Sequence, residues 1–116
     1  MEYSKVKKIS LKIYCDNTDR FNSKPLWEYI LNKARDIGIS GATVYKAVAG
    51  IGSHKSLHRF DILNLSNTMP IVIEIIESKE SIDKLLDNLE IDISDTFITM
   101  QELDVLIKKG SKWTFI

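Results

Sequence analysis

The sequence holds one cysteine, two prolines and five glycines in 116 residues, and each scarcity removes a class of protein. Cys15 has no second thiol to pair with, so no internal disulfide frames the fold, and no ligand at zinc-site spacing accompanies it. That usage fits a reducing cytoplasm. So few prolines and glycines leave no linker, low-complexity tract or internal repeat, and one domain spanning 1–116 is expected. Neither sign of charge is in excess. Sixteen basic and sixteen acidic side chains cancel, so no global field draws nucleic acid or an anionic membrane. No run of about 18 apolar residues occurs, so insertion into a bilayer is not expected. The polar opening MEYSKVKKISLKIYC lacks the apolar stretch of a secretion signal.

What is present is periodic. Ile9, Leu11, Ile13 and Cys15 alternate with Ser10, Lys12 and Tyr14, the period of a strand buried on one face, over 8–15. Pro25 opens a helix over 25–37, with Leu26, Ile30, Ala34 and Ile37 at helical spacing and Gly38 beyond its end. A second strand is expected over 42–50. An irregular polar loop covers about 50–69, within which 57–65 alternates weakly. Ile71 to Glu77 forms a third strand after Pro70. Ser78 caps a second helix that buries Ile82, Leu85, Leu86 and Leu89. Extended pieces at 97–100 and 103–107 and a tail ending in Trp113 and Phe115 complete the chain. The order is βαββαβ, an α+β ferredoxin-like sandwich whose two helices cover one face of an antiparallel sheet.

The third strand is apolar on both faces. Ile71, Ile73 and Ile75 point one way, Val72 and Ile76 the other. Two helices on one face cannot cover both sides. Tyr14, Tyr45 and Ala47 are expected to join Val72 and Ile76 in a bare patch that sister chains cover. The alternative cover is the tail, through Trp113 and Phe115.

Residues 41–77 read GATVYKAVAGIGSHKSLHRFDILNLSNTMPIVIEIIE. A Gly-Ala-Thr-Val strand, Gly-x-Gly, a polar excursion, then proline and an Ile/Val/Glu strand resemble the PII signalling proteins. The pattern is closer still to the branch numbered 190 among domains of unknown function. Asp19-Arg20 and Lys24-Pro25-Leu26-Trp27-Glu28 are similar to that branch's first loop and helix. The resemblance covers about residues 8–107. It implies a homotrimer with sheets facing inward and an adenine nucleotide in clefts between subunits. It also implies a loop, here 50–69, that engages a partner such as a membrane transporter or an enzyme. Thr43, Gly50 and Gly52 match positions that line the nucleotide cleft, and Lys108 with Lys109 stands where an arginine pair is found. The PII phosphate loop is replaced by Ile91-Asp92-Ile93-Ser94-Asp95-Thr96, which has two acids and neither glycine nor lysine. Acids there repel phosphate where they point inward, which favours a less phosphorylated nucleotide or another ligand over ATP.

Gly50 and Gly52 let backbone N–H groups approach an anion, or serve a turn needing positive φ. Lys46, Ser53, His54, Lys55, His58 and Arg59 surround them in sequence. They form either an anion site built on charge-assisted hydrogen bonds or a solvated loop. Symmetric copies of His54 and His58 meeting on a trimer axis give the alternative reading, a divalent-metal-binding trimer serving ion homeostasis. Tyr45 and Phe60 stack on a base or pack at an interface. Arg20 and Lys24 contact ligand or pair with Asp19. Cys15 reads as an inert packed thiol. No nucleophile–base pair is evident in the sequence, and enzymatic activity is not expected.

Overall fold

The computed structural model describes residues 2–51, 57–59 (backbone only), 68–91 and 96–108. Among the described residues ten elements follow one another: β1 (Tyr3–Asp16), β2 (Arg20–Phe21), β3 (Lys24–Pro25), α1 (Leu26–Asp36), β4 (Ala42–Lys46), β5 (Ala49–Ile51), β6 (Leu57–Arg59), β7 (Pro70–Glu77), α2 (Lys79–Asn88) and β8 (Phe97–Lys108). Four strands form the main antiparallel sheet in the order β4-β7-β1-β8. With the two helices on one face, this is the expected ferredoxin-like α+β sandwich.

Register decides which residues meet the helices. Leu11 pairs with Ile75, Ile13 with Ile73 and Cys15 with Ile71, while Val44 pairs with Ile73 from the other side. Paired residues share a face. Ile30 and Ala34 of α1 and Ile82, Leu85 and Leu89 of α2 close over them, and these ten positions apart from Val44 and Cys15 form one buried cluster. Met69, immediately before β7, is also buried.

The helix ends show why the helices stop where they do. Gly38 has φ of 88°, the left-handed conformation that a side chain disfavours. Its N–H donates to the Arg35 carbonyl and the Ile39 N–H to the Ala34 carbonyl, a Schellman closure of α1. Ser78 caps α2, its Oγ accepting from the Ser81 N–H at 3.2 Å. Between β2 and β3, Asn22 and Ser23 both have positive φ, as a tight two-residue hairpin turn requires.

Four boundaries differ from the sequence expectation. The first strand begins at Tyr3 rather than Lys8, because Tyr3 to Lys8 pairs with Lys108 to Leu103. The pieces at 97–100 and 103–107 are one continuous strand for the same reason. Pro25 lies in the β3 bridge and precedes α1 as its N-cap residue. The strand expected over 42–50 is broken after Lys46: the Ala47 N–H donates to the Pro70 carbonyl at 2.9 Å, and β5 turns away to pair with β6. Ala47 therefore leaves the pairing frame of the sheet and does not extend the row expected to contain it.

Glu77 ties the second half of the sheet together. Its Oε1 accepts from the Ser40 N–H and Oγ, both at 3.0 Å, and its Oε2 from the Ser78 N–H at 3.2 Å. Burial disfavours the charged carboxylate, but the donors at Ser40 and Ser78, with nearby Lys8, outweigh it and hold the group below its ordinary range. A depressed carboxylate stabilises the fold above its unfolded pKa, and that contribution is lost as pH falls through the folded value. Glu77→Gln is thus expected to make melting temperature less sensitive to acidification between about pH 6 and pH 3. Parallel thermal melts of both proteins check this; equal acid sensitivity would refute it.

Candidate functional site

The same register that builds the core sends alternate residues to the helix-free side. They form rows across the four strands. Tyr45, Val72, Tyr14 and Phe97 make one row, and Thr43, Glu74, Lys12 and Thr99 the next. Ile76, Ser10 and Gln101 follow. The aromatic row is uncovered, with Tyr14 37%, Tyr45 51% and Phe97 67% exposed. Tyr14 and Phe97 meet edge to face, ring centroids 5.2 Å apart.

Beyond the four-stranded part, β1 and β8 continue as a two-stranded ribbon. On the helix-free side it carries Val6, Lys8, Leu103, Val105 and Ile107. On the opposite side Lys7 pairs with Asp104 at 3.1 Å and Glu102 at 3.6 Å. The ribbon is therefore charged on the helix side and largely apolar on the side continuous with the bare face. Two strands alone are marginal in water, so an apolar side on such a ribbon needs cover.

A polar cluster sits between the aromatic row and the ribbon. Tyr45 Oη donates to Glu74 Oε1 at 3.2 Å, and Ser10 Oγ donates to Glu74 Oε2 at 3.4 Å. Lys12 Nζ stands 4.0 Å from the same Oε2. The Glu74 carboxylate beside the Tyr45 phenol raises that phenol's pKa and keeps it protonated. Lys12, Tyr14, Tyr45, Val72 and Glu74 line a shallow hollow of about 320 Å³. Sequence reasoning placed Tyr14, Tyr45 and Val72 on this face but missed Lys12, Glu74 and Ser10 beside them. The available signal was Glu74 itself, the one acid inside the Pro70–Ile76 run.

The base of the 50–69 excursion lies at the aromatic end of the sheet. A Cβ on Gly50 would stand 2.9 Å from Pro70 Cγ, so close packing, not positive φ, requires glycine there. Asn17, just after β1, accepts from the Met69 N–H through Oδ1 and donates its own N–H to the Met69 carbonyl, both at 2.9 Å. The expected site residues divide. Thr43 faces the helix-free side and Lys46 the helix side. Gly50 pairs with His58, and Ala49 with Arg59, across the β5–β6 hairpin. Gly52, Ser53, His54, Lys55, Phe60 and Lys109 lie outside the described residues, as do the side chains of His58 and Arg59 and the tail with Trp113 and Phe115. Lys108 pairs with Tyr3 at the far end of the ribbon, eleven positions from the Tyr14–Phe97 pair and so about 35 Å away in one chain. Only another copy could bring it to the loop base.

Among the described residues no three His, Cys, Asp or Glu side chains gather as metal ligands. Cys15 is half-buried, and burial, with Asp19 and Asp16 nearby, pushes its thiol up to about 12. It stays protonated at neutral pH, consistent with the inert packing expected of it. No described helix is long and apolar enough to cross a membrane.

The profile of DUF190, a family described as uncharacterized ACR, matches residues 8–105. A UPF0166 protein of Aquifex aeolicus is 33% identical over 101 residues, covering 87% of this chain and 95% of its own. A UPF0166 protein of Methanocaldococcus jannaschii is 38% identical over 79 residues, covering 68% of this chain and 72% of its own. Among solved structures, CPII of Thiomonas intermedia is similar in fold, with a TM-score of 0.65 at 15% identity over 88% of this chain and 91% of that one. CPII is a nitrogen regulatory PII-like protein, and that structure is bound to ADP, AMP and bicarbonate.

Proposed function

Because the chain belongs to the DUF190 family, we propose that it is a cytoplasmic PII-like regulatory protein: a homotrimer that binds an adenine nucleotide between subunits and engages a partner protein through the 50–69 segment. The observation that carries this reading is the helix-free face. Its exposed aromatic row runs on into the half-buried apolar side of the ribbon, and packing against sister chains would bury both. Clefts would then open where one copy's edge strand, β4, meets the next copy. Thr43 and Gly50 lie on or just past that strand, and the far-end Lys108 of a neighbour could reach them.

The adenine nucleotide is supported by the PII-like fold and by the nucleotides bound in CPII. Glycine at position 50 keeps the loop base against Pro70, where any added side chain must displace the proline ring. The partner would be a transporter or an enzyme, and ordering of the loop by ligand is the switch this reading invokes. It is a reading of binding, not of turnover.

Calorimetry with ADP, AMP and ATP tests it. Saturable binding of at least one nucleotide to the trimer is expected, with about tenfold weaker affinity in Gly50→Ala, equivalent to about 1.4 kcal/mol. A trimer that binds none of the three would sink the nucleotide assignment.

A further inference from the structure

We infer that Lys12 and Glu74 form the ionic contact between copies that sets the register of the assembly, each copy's Lys12 ammonium meeting the Glu74 carboxylate of its neighbour. The inference rests on the homotrimer reading and adds to it the residues by which one copy recognises another.

The helix-free face has a layered polarity. Apolar surface lies at both ends, in the Tyr45, Val72, Tyr14 and Phe97 row and along Val6, Leu103 and Val105 of the ribbon. Charge of both signs lies between, on adjacent strands in one row. A face carrying its own cation and its own carboxylate is complementary to a second copy of itself. A partner of one charge sign would leave one of the two unmatched. Apolar contact alone permits sliding, because Val, Leu and aromatic side chains pack in many offsets. A charge pair buried within such a surface penalises every offset that separates it, and fixing register is the best-attested use of a buried ionic contact.

The geometry within one copy leaves the pair incomplete. Glu74 is held in place, since Ser10 and Tyr45 each donate to one of its oxygens. Ser10 is itself only 4% exposed, so this anchor is built into the sheet. Lys12 is not held: at 4.0 Å it is at the outer limit of an ion pair, and its side chain remains 40% exposed. A fixed acceptor with lone pairs to spare and a cation with donors to spare stand side by side, facing the direction from which the neighbour arrives. Burying Lys12 without a second carboxylate would be costly, and the neighbour's Glu74 supplies one.

Charge reversal tests this. Lys12→Glu and Glu74→Lys are made separately, each with its own affinity tag, and also together in one chain. Sedimentation velocity is expected to show each single variant dissociating at a protein concentration at least tenfold above that of wild type, while circular dichroism shows it folded. An equimolar mixture of the two single variants is expected to form mixed oligomers, recovered through either tag, because opposite charges again meet at most junctions. Two results overturn the inference while leaving the trimer intact: single variants that assemble as wild type does, or a mixture that stays apart while the doubly reversed chain assembles. A wild-type protein that is monomeric removes the inference and the homotrimer together.

Discussion

Tyr14→Asp is expected to convert the proposed homotrimer into folded monomers at micromolar concentration. Tyr14, Tyr45 and Phe97 retain between 37% and 67% of their surface exposed in the single chain. If about 80 Å² of each is covered on assembly, each contributes roughly 2 kcal/mol before association costs. Aspartate at position 14 loses that contribution and adds a charge, beside the Glu74 carboxylate across the same hollow, that assembly would bury. The monomer should keep its fold, because Tyr14 touches none of the helix-facing cluster. Light scattering coupled to gel filtration reads the mass directly. An unchanged mass would mean that this face is not the one the copies share.

The second large effect is internal. Ile73→Ala is expected to cost about 2–5 kcal/mol, the range for deleting a fully buried branched side chain. Ile73 is 0% exposed, at the centre of β7, paired with Ile13 on one side and Val44 on the other. The loss is a large part of the roughly 5–15 kcal/mol available to a small domain. Ile76→Ala is the control. It lies on the opposite face of the same strand and is only half-buried, so it should weaken assembly more than it weakens the protomer. Urea titrations at fixed protein concentration separate the two, because assembly makes apparent stability concentration-dependent. Equal destabilisation by the two variants would contradict the division of faces.

Where the sequence was legible, a strong period made it so. The alternation from Ile9 to Cys15 and the two-faced run from Ile71 to Ile76 are dictated by the pleat, and the structure places them as expected. Ser78 and Gly38 mark helix ends through local chemistry that needs no tertiary information. The misses lie where pairing between distant segments overrides local pattern. Tyr3 to Lys8 has only Val6 as an aliphatic residue and reads as a charged lead-in, yet β8 recruits it. Gln101 and Glu102 look like a gap between two strands, but Ser10 and Ile9 continue the ladder through them. The break after Lys46 depends on the Pro70 carbonyl, which no nearby residue announces. The Lys12–Glu74–Tyr45 cluster was hidden for a related reason. Its members lie on three strands, and only the register brings them into adjacent columns. Of the expected ligand residues, Thr43 and Gly50 fall near the loop base, whereas Lys108 lies where only a neighbouring chain could use it.

The paired hydrogen bonds between Asn17 and Met69, with Gly50 pressed against Pro70, act as a collar around the neck of the 50–69 excursion. Doubling the length of a closed segment costs only about 0.6 kcal/mol of closure entropy. By that measure this part of the chain can be lengthened or shortened with little penalty to the platform beneath it.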